Sequence, residues 1–99
     1  MLNQLVLVGR LSNKTQIKLN EKGEPYMKIK LQIMDTQEQP IYVGIDIHGQ
    51  MTNSVNEYCQ KGDILGVKGS IGVKNNLITI IANKVTFLSA KKDIELEEE

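Results

Sequence analysis

The residues of this chain best suited to acid–base chemistry are its only histidine, His48, and Asp46 two positions earlier. On one face of a strand they would supply a proton acceptor and a charged partner, as general acid–base catalysis requires. No Ser or Cys lies close by in sequence to act as a nucleophile, and the chain contains no HExxH, no CxxC and no cluster with metal-ligand spacing. The pattern therefore favours a protein that is not an enzyme, with no catalytic residue, metal site or cofactor.

A second set of side chains has the types that bind nucleic acid. Tyr26, Lys28 and Lys30 alternate along one predicted strand, and Tyr42 and His48 share a parity on the next. Binding of a single strand uses flat rings on which bases stack and cations that neutralise phosphates. The alternative is a solvated sheet face that carries Tyr because Tyr favours strands. Aromatic residues are only 4% of the chain, which keeps that alternative open.

These side chains depend on two strands with clean alternation. Tyr26–Ile33 (YMKIKLQI) and Ile41–Gly49 (IYVGIDIHG) both place an aliphatic residue at every second position. A period of two puts the aliphatic residues on one face and the rings and lysines on the other. We therefore expect one face of this strand pair to form the core and the other to be available for binding.

The segment 50–62 (QMTNSVNEYCQKG) is predicted to form the chain's one short helix. Its apolar stripe follows helical spacing and consists of Met51, Val55, Tyr58 and Cys59. Thr52 or Asn53 is expected to cap its start, and Gly62 to end it in a left-handed turn. A lone cysteine cannot form an internal disulfide, and its place on the stripe predicts a small buried hydrophobic residue.

Two segments precede the alternating strands. Asn3–Ser12 is apolar at both parities from Leu5 to Val8, so we expect a strand covered on both faces, with a bulge or bend at Gly9. Gln16–Leu19 is predicted to be a short strand that continues this bent first strand after a turn. A hairpin connection then leads to Tyr26.

Two strands follow the helix. Asp63–Lys74 contains three glycines at a spacing of three residues, which indicates bending or close backbone approach, and Leu77–Leu88 is the last strand. Asn75 and Asn76 form the tight turn between them. The order predicts an all-β protein, a five-stranded OB-fold Greek-key barrel with one short helix between strands 3 and 4.

The charge of the chain is unevenly distributed. Residues 1–92 hold twelve Lys/Arg and seven Asp/Glu, whereas residues 93–99 (DIELEEE) hold five acids and no base. We expect an OB-fold domain over residues 1–90 and an acidic, disordered tail over 91–99. A basic body predicts contact with a polyanion, and the tail is either a competitor for that contact or a solubilising end. No run of 18 apolar residues and no signal peptide are found, which predicts a cytoplasmic protein without a membrane span.

Several motifs resemble the bacterial single-stranded DNA-binding protein family. They are the opening NQLVLVGRL (Asn3–Leu11), the YCQKGD run (Tyr58–Asp63), the VKG that follows it (Val67–Gly69) and Gly49 at the end of the third strand. The opening and the YCQKGD run are most similar to members from Gram-positive bacteria and their phages. The resemblance implies an OB-fold protein that coats single-stranded DNA in replication, repair or recombination, usually as a homotetramer, with a tetramer favoured over a dimer.

The resemblance also implies binding positions. Tyr42 and His48 stand where the family carries aromatic stacking residues. Lys18, Lys61 and Lys74 match the basic residues with which the family contacts phosphates. Two further stacking positions fall near Gln37 and Asn76, which cannot stack well, and Asp46 is expected to repel phosphate. The full set of predicted nucleic-acid-binding residues is Lys18, Tyr26, Lys28, Lys30, Tyr42, His48, Lys61 and Lys74.

Two other functions fit the same sequence. An OB barrel can serve as a protein-interaction subunit, for instance in replication restart or helicase loading, with weak or no DNA binding. The missing stacking residues favour that alternative, and the tail lacks the Asp/Pro/Phe ending through which the family recruits replication proteins. OB sheets also accept RNA, which is the third possibility.

Overall fold

The computed structural model of the chain describes residues 1–89, so the acidic tail expected at 91–99 lies outside the described residues. The elements in chain order are β1 (Leu5–Lys14), β2 (Lys18–Leu19), β3 (Pro25–Met34), β4 (Pro40–His48), α1 (Met51–Tyr58), β5 (Ile64–Lys74) and β6 (Leu77–Phe87). Within this part of the chain, no helix has the length and apolar character needed to cross a membrane.

Five long strands close into a barrel. β1 pairs antiparallel with β5 at its start and with β3 at its end, while β3 pairs with β4 and β5 with β6, also antiparallel. A parallel contact between β4 and β6 completes the ring, at Ile45↔Ile80 and Asp46↔Ile81. The predicted five-stranded OB barrel, with its helix between the third and fourth long strands, is confirmed. The segment expected to continue β1 forms only the two-residue β2, which pairs with β3.

The core contains most of the aliphatic side chains that the alternation predicts, although Ile41 at the start of β4 is 40% exposed. β3 contributes Met27, Ile29 and Leu31, which are at most 2% exposed, and β4 contributes Ile45 and Ile47. The other buried apolar residues come from β1, α1, β5 and β6, and are Leu11, Val55, Cys59, Leu65, Val67 and Ala82. Burial of these side chains supplies the main favourable free energy of folding. It also fixes which side chains of β3 and β4 point away from the core.

The helix is shorter than predicted and differs at both ends. It covers Met51–Tyr58, and its N-cap is Gln50 without any side-chain cap. Thr52 lies inside the first turn of the helix, where it is buried and donates its hydroxyl to the Gly49 carbonyl at 2.7 Å, so it is not the N-cap. Gly62 has the expected positive φ of 98°, but it belongs to the turn after the helix.

A lysine from β1 takes the place of a glycine cap at the end of α1. The Lys14 ammonium donates hydrogen bonds to the carbonyls of Asn56 at 2.9 Å and Cys59 at 2.7 Å. The last carbonyls of a helix have no partner inside the helix, and the helix dipole favours a cation beside them. Lys14 therefore fixes the helix against the barrel.

The expectation that β1 is covered on both faces is wrong for a single chain. Val6 and Val8 are 65% and 56% exposed, while the opposite parity faces the interior. The close approach expected at Gly9 is present, because a Cβ there would lie 2.6 Å from the Gln32 carbonyl oxygen. The register shift in β1 falls between Leu11 and Asn13, after the predicted position.

The β5–β6 hairpin carries the predicted turn and a bulge. Asn75 and Asn76 have φ of 54° and 64°, the left-handed conformation that a two-residue hairpin turn needs and that Asn tolerates. The register shifts between Lys68 and Gly69, where a Cβ on Gly69 would overlap the Ile81 carbonyl oxygen. The turn projects Lys74 toward the outer face of β3.

Candidate nucleic-acid interface

A stacked pair of rings lies on the outward face of β3 and β4. Tyr26 pairs with His48 in the antiparallel register, and directly paired residues share one face of the sheet. Their ring centroids are 6.5 Å apart and the rings are inclined by 30°. On the other side, Tyr26 pairs with Lys18 of β2, so a row of cation, phenol and imidazole crosses three strands. Flat surfaces beside a cation are the elements that bind an unpaired base and its phosphate.

Lys74 completes this row from a distant part of the chain. Its Nζ lies 5.7 Å from the centroid of the Tyr26 ring, within the range of a cation–π contact. The contact joins the tip of the β5–β6 hairpin to β3. These two segments are far apart in sequence, and the sequence does not indicate that they meet. The contact places an ammonium group beside the stacked rings.

The next row of the face contains an ion pair. Lys28 pairs in register with Asp46, and its Nζ lies 3.3 Å from Asp46 Oδ1. The other carboxylate oxygen accepts a hydrogen bond from the Thr79 hydroxyl at 3.0 Å. Asp46 was expected to repel phosphate, but both of its oxygens are engaged and the residue is buried. Its charge is therefore partly compensated within the face.

Two adjoining grooves run over these rows. The hairpin groove has a volume of 540 Å³ and is formed by the β2–β3 connection together with the stacked rings. It is lined by Leu19, Asn20, Glu21, Lys22, Glu24, Tyr26, His48 and Lys74. The lysine groove has a volume of 200 Å³ and is lined by Thr15, Lys18, Tyr26, Lys28, Asp46 and Lys74. Tyr26 and Lys74 line both grooves, so the two form one continuous surface.

The remaining predicted residues lie outside this centre. Lys30 and Tyr42 are on the same outward face, opposite Gly44 and Gln32, further along the strands. Tyr42 is 57% exposed. Lys61 lies elsewhere, in a depression that it shares with Arg10. The structure thus gathers five of the eight residues, Lys18, Tyr26, Lys28, His48 and Lys74, at the two grooves.

Sequence reasoning missed the contribution of the β2–β3 connection. The sequence predicts a short strand that ends at Leu19 and a plain hairpin connection after it, whereas in the structure Leu19, Asn20 and Glu24 form a wall of the hairpin groove. The signal in the sequence is Leu19 itself, an aliphatic residue between Lys18 and the polar segment 20–24 (NEKGE). Among residues 1–89, no group of three or more His, Cys, Asp or Glu side chains is placed to hold a metal ion.

Curated relatives of the chain are single-stranded DNA-binding proteins. The protein of that name from Thermosynechococcus vestitus is 26% identical, over 95% of this chain and 88% of its own length. Single-stranded DNA-binding protein B of Bacillus subtilis is also 26% identical, over 92% of this chain and 94% of its own length. Single-stranded DNA-binding protein 1 of Staphylococcus aureus is 23% identical, over the whole of this chain and 73% of its own length.

Solved structures with the same fold include DNA-binding and PriB proteins. The mitochondrial single-stranded DNA-binding protein of S. cerevisiae superimposes with a TM-score of 0.77 at 16% identity, over 88% of this chain and 94% of its own. A PriB protein of Ralstonia solanacearum gives 0.72 at 20% identity, over 88% of this chain and 98% of its own. At these identities the likeness establishes the fold alone.

The match to a family model extends over nearly all of the described barrel. The model described as the single-strand binding protein family covers residues 2–88, from before β1 to the end of β6. It therefore includes every strand, the helix and both grooves. The chain belongs to the single-strand binding protein family.

Proposed function

We propose that this chain coats single-stranded DNA by base stacking and phosphate neutralisation at the two grooves, without catalysis and without requiring a particular sequence. The observation that carries the proposal is the stacked pair Tyr26–His48 with Lys18 and Lys74 beside it. Stacking on each ring is worth about 1–3 kcal/mol per base and accepts any base. The protein would protect exposed strands in replication, repair or recombination in the cytoplasm.

The lysines set how binding responds to salt. Each phosphate neutralised on a single strand contributes about −0.7 to the slope of log K against log salt. Lys18, Lys28 and Lys74 would give a slope of roughly −2 if all three contact phosphates. If Lys28 stays on Asp46, two cations remain and the slope falls to roughly −1.4. The measured slope therefore reports how many of these lysines the DNA engages.

The bound DNA would continue from the grooves along β4. Tyr42 is six residues from His48, which corresponds to about 20 Å of strand. A DNA strand that begins at the stacked rings would pass Lys30 and reach Tyr42 on the same outward face. Lys61 would contact only a strand long enough to leave this face for another side of the barrel.

Assembly of several copies is part of the proposal. β3 pairs with β1 only from Arg10 onward, so Leu5–Gly9 pairs with β5 on one side and leaves its other edge open. Val6 and Val8 are exposed beside this edge, and an open apolar edge favours pairing with another strand. We propose a homo-oligomer formed through this edge, with a tetramer favoured over a dimer.

A protein-interaction subunit remains the second candidate function. The observation that favours it is the exposed apolar surface of the β5–β6 hairpin, where Val73, Leu77 and Ile78 are each at least 70% exposed. Patches of this kind are typical of protein contacts. Replication proteins are the partners that this candidate implies, as in replication restart or helicase loading.

Fluorescence anisotropy of a labelled oligo-dT, titrated with the protein at low and at moderate salt, tests the proposal. We expect saturable binding that weakens with salt, with little affinity for the matching duplex. A competition with an RNA oligomer of matched sequence separates DNA from RNA binding. Absence of binding at low salt would overturn the proposal and favour the protein-interaction subunit.

A further inference from the structure

The two grooves that share Tyr26 differ in charge. The lysine groove is lined by three lysines, Lys18, Lys28 and Lys74, and by one acid, Asp46. In the hairpin groove, two glutamates, Glu21 and Glu24, offset the two lysines, Lys22 and Lys74. A phosphate is attracted more strongly to the lysine groove, because the lysines and glutamates of the hairpin groove balance each other. A strand crossing Tyr26 would therefore keep its backbone over the lysine groove and extend its bases toward the hairpin groove.

The hairpin groove has surfaces for a flat heterocycle. The rings of Tyr26 and His48 line it, and Leu19, 67% exposed, adds an aliphatic surface from β2. Such sites bind bases because every base has a flat apolar face. The volume of 540 Å³ leaves room for a base and water.

The hairpin turn holds a hydrogen-bond acceptor at the edge of this groove. Glu24 Oε1 accepts from the Asn20 amide at 2.9 Å, and the second carboxylate oxygen has no hydrogen-bond partner within residues 1–89. Asn20 is itself fixed, because its Oδ1 accepts from the backbone N–H groups of Lys22 at 2.8 Å and Glu24 at 2.9 Å. The turn thus orients the carboxylate through Asn20.

We propose that the hairpin groove is a base-recognition subsite that prefers bases with an exocyclic amine, so that cytosine binds more tightly than uracil or thymine. A carboxylate accepts a hydrogen bond from the N4 amine of cytosine, whereas thymine and uracil present the O4 acceptor at the same position. Glu24 is the specificity-determining residue of this subsite. The inference rests on the proposed function, and adds a modest base preference to binding that is otherwise tolerant of sequence.

The test compares labelled oligo-dC and oligo-dU, which differ at C4 (amine or carbonyl) and at the neighbouring N3 (acceptor or N–H donor). Oligomers of about 12 nucleotides fall within the roughly 4–16 nucleotides that one OB fold covers. At neutral pH, we expect the ratio of affinities, dC over dU, to be roughly threefold to tenfold higher in the unmodified protein than in Glu24→Ala. The ratio in Glu24→Ala serves as the baseline for intrinsic differences between the two oligomers.

A matched variant controls for charge. Glu57→Ala removes one carboxylate from α1, which lines neither groove, and should shift both affinities together while keeping the ratio. Glu24→Gln keeps the length of the side chain and should lower the ratio as well. Circular dichroism and thermal unfolding establish that each variant is folded.

The outcomes distinguish this inference from the proposed function. An equal dC over dU ratio in the unmodified protein and in folded Glu24→Ala would overturn the subsite while binding itself stands. The same conclusion follows if Glu57→Ala lowers the ratio as much as Glu24→Ala. Failure of both oligomers to bind at low salt would overturn the proposed function, and the subsite with it.

Discussion

Lys28 and Asp46 form an ion pair in the middle of the face that we propose binds DNA, with Nζ and Oδ1 3.3 Å apart. The lysine side chain is 55% exposed and the carboxylate 8%, so the cation can leave while the anion stays. DNA that engages Lys28 must then compete with Asp46 or accept a carboxylate near its phosphate. The Lys28–Asp46 ion pair is therefore expected to limit the affinity for DNA.

Replacing Asp46 by Asn should tighten binding of oligo-dT at low salt by several-fold. At about 6 Å, removing one negative charge near a phosphate is worth on the order of 1 kcal/mol in a surface environment. The released Lys28 should add about −0.7 to the salt slope. Asn keeps an acceptor for Thr79, and the substitution leaves no unpaired buried charge because the Lys28 side chain is 55% exposed, so the variant should fold. Glu57→Gln is the control with the same change of charge, and weaker binding by Asp46→Asn would instead mean that Asp46 positions Lys28.

The alternation of β3 and β4 was enough to predict which side chains face outward. Met27 and Ile29 are buried and Lys28 lies on the outer face, because a period of two leaves no other arrangement once one face forms the core. The OB topology followed from the order of the strands and the single helix. The outward faces and the topology both depend on patterns of neighbouring residues, and such patterns can be read directly from the sequence.

The register between paired strands could not be predicted from the alternation of residues. That Tyr26 lies opposite His48 depends on the register, which the hairpin connections and the packing of the core determine together. The contact of Lys74 with Tyr26 depends on how far the β5–β6 hairpin curls over β3. The place of Lys61, in a depression apart from the two grooves, depends on the turn after the helix.

Tyr26 and Tyr42 should differ in their dependence on the length of the oligomer. Tyr26→Leu removes a ring at the centre of both grooves and should weaken binding of any bound oligomer by roughly 5- to 150-fold, the equivalent of about 1–3 kcal/mol. Tyr42→Leu removes a ring about 20 Å further along β4. It should weaken oligo-dT of about 12 nucleotides and leave a segment of about 4 nucleotides unaffected. Anisotropy titrations with both lengths measure this, and equal losses by the two variants with the short oligomer would contradict the proposed path.

Lys14→Met should destabilise the fold by about 1–2 kcal/mol, because two carbonyls at the end of α1 lose a charged donor. Chemical denaturation gives the free energy of unfolding. Lys22→Met, in the exposed turn between β2 and β3, is the matched control and should change it little. If the two variants unfold alike, the helix end does not depend on Lys14.

Gly69→Ala should destabilise the barrel by about 1–3 kcal/mol, as expected for an added methyl group in a packed site. The new Cβ would overlap the backbone carbonyl of Ile81 at the bulge, which cannot move without breaking the β5–β6 pairing. Gly66→Ala on the same strand is the matched control. Its Cβ would lie 3.4 Å from a Leu88 methyl group, an ordinary contact, so the free energy of unfolding should change by less than about 1 kcal/mol. Equal effects would indicate that the bulge relaxes to accept a side chain.

Removal of residues 93–99 should tighten binding of oligo-dT at low salt. This segment carries five acids and lies outside the described residues, while the remaining body has a charge of +5 from twelve Lys/Arg and seven Asp/Glu. If the acids compete with phosphates for Lys18, Lys28 and Lys74, the gain should shrink as salt rises and the Debye length falls from about 30 Å at 0.01 M to about 8 Å at 0.15 M. A variant with the five acids replaced by Asn and Gln separates charge from length and should behave as the deletion does. Unchanged affinity at low salt in both variants would assign the segment a solubilising role only.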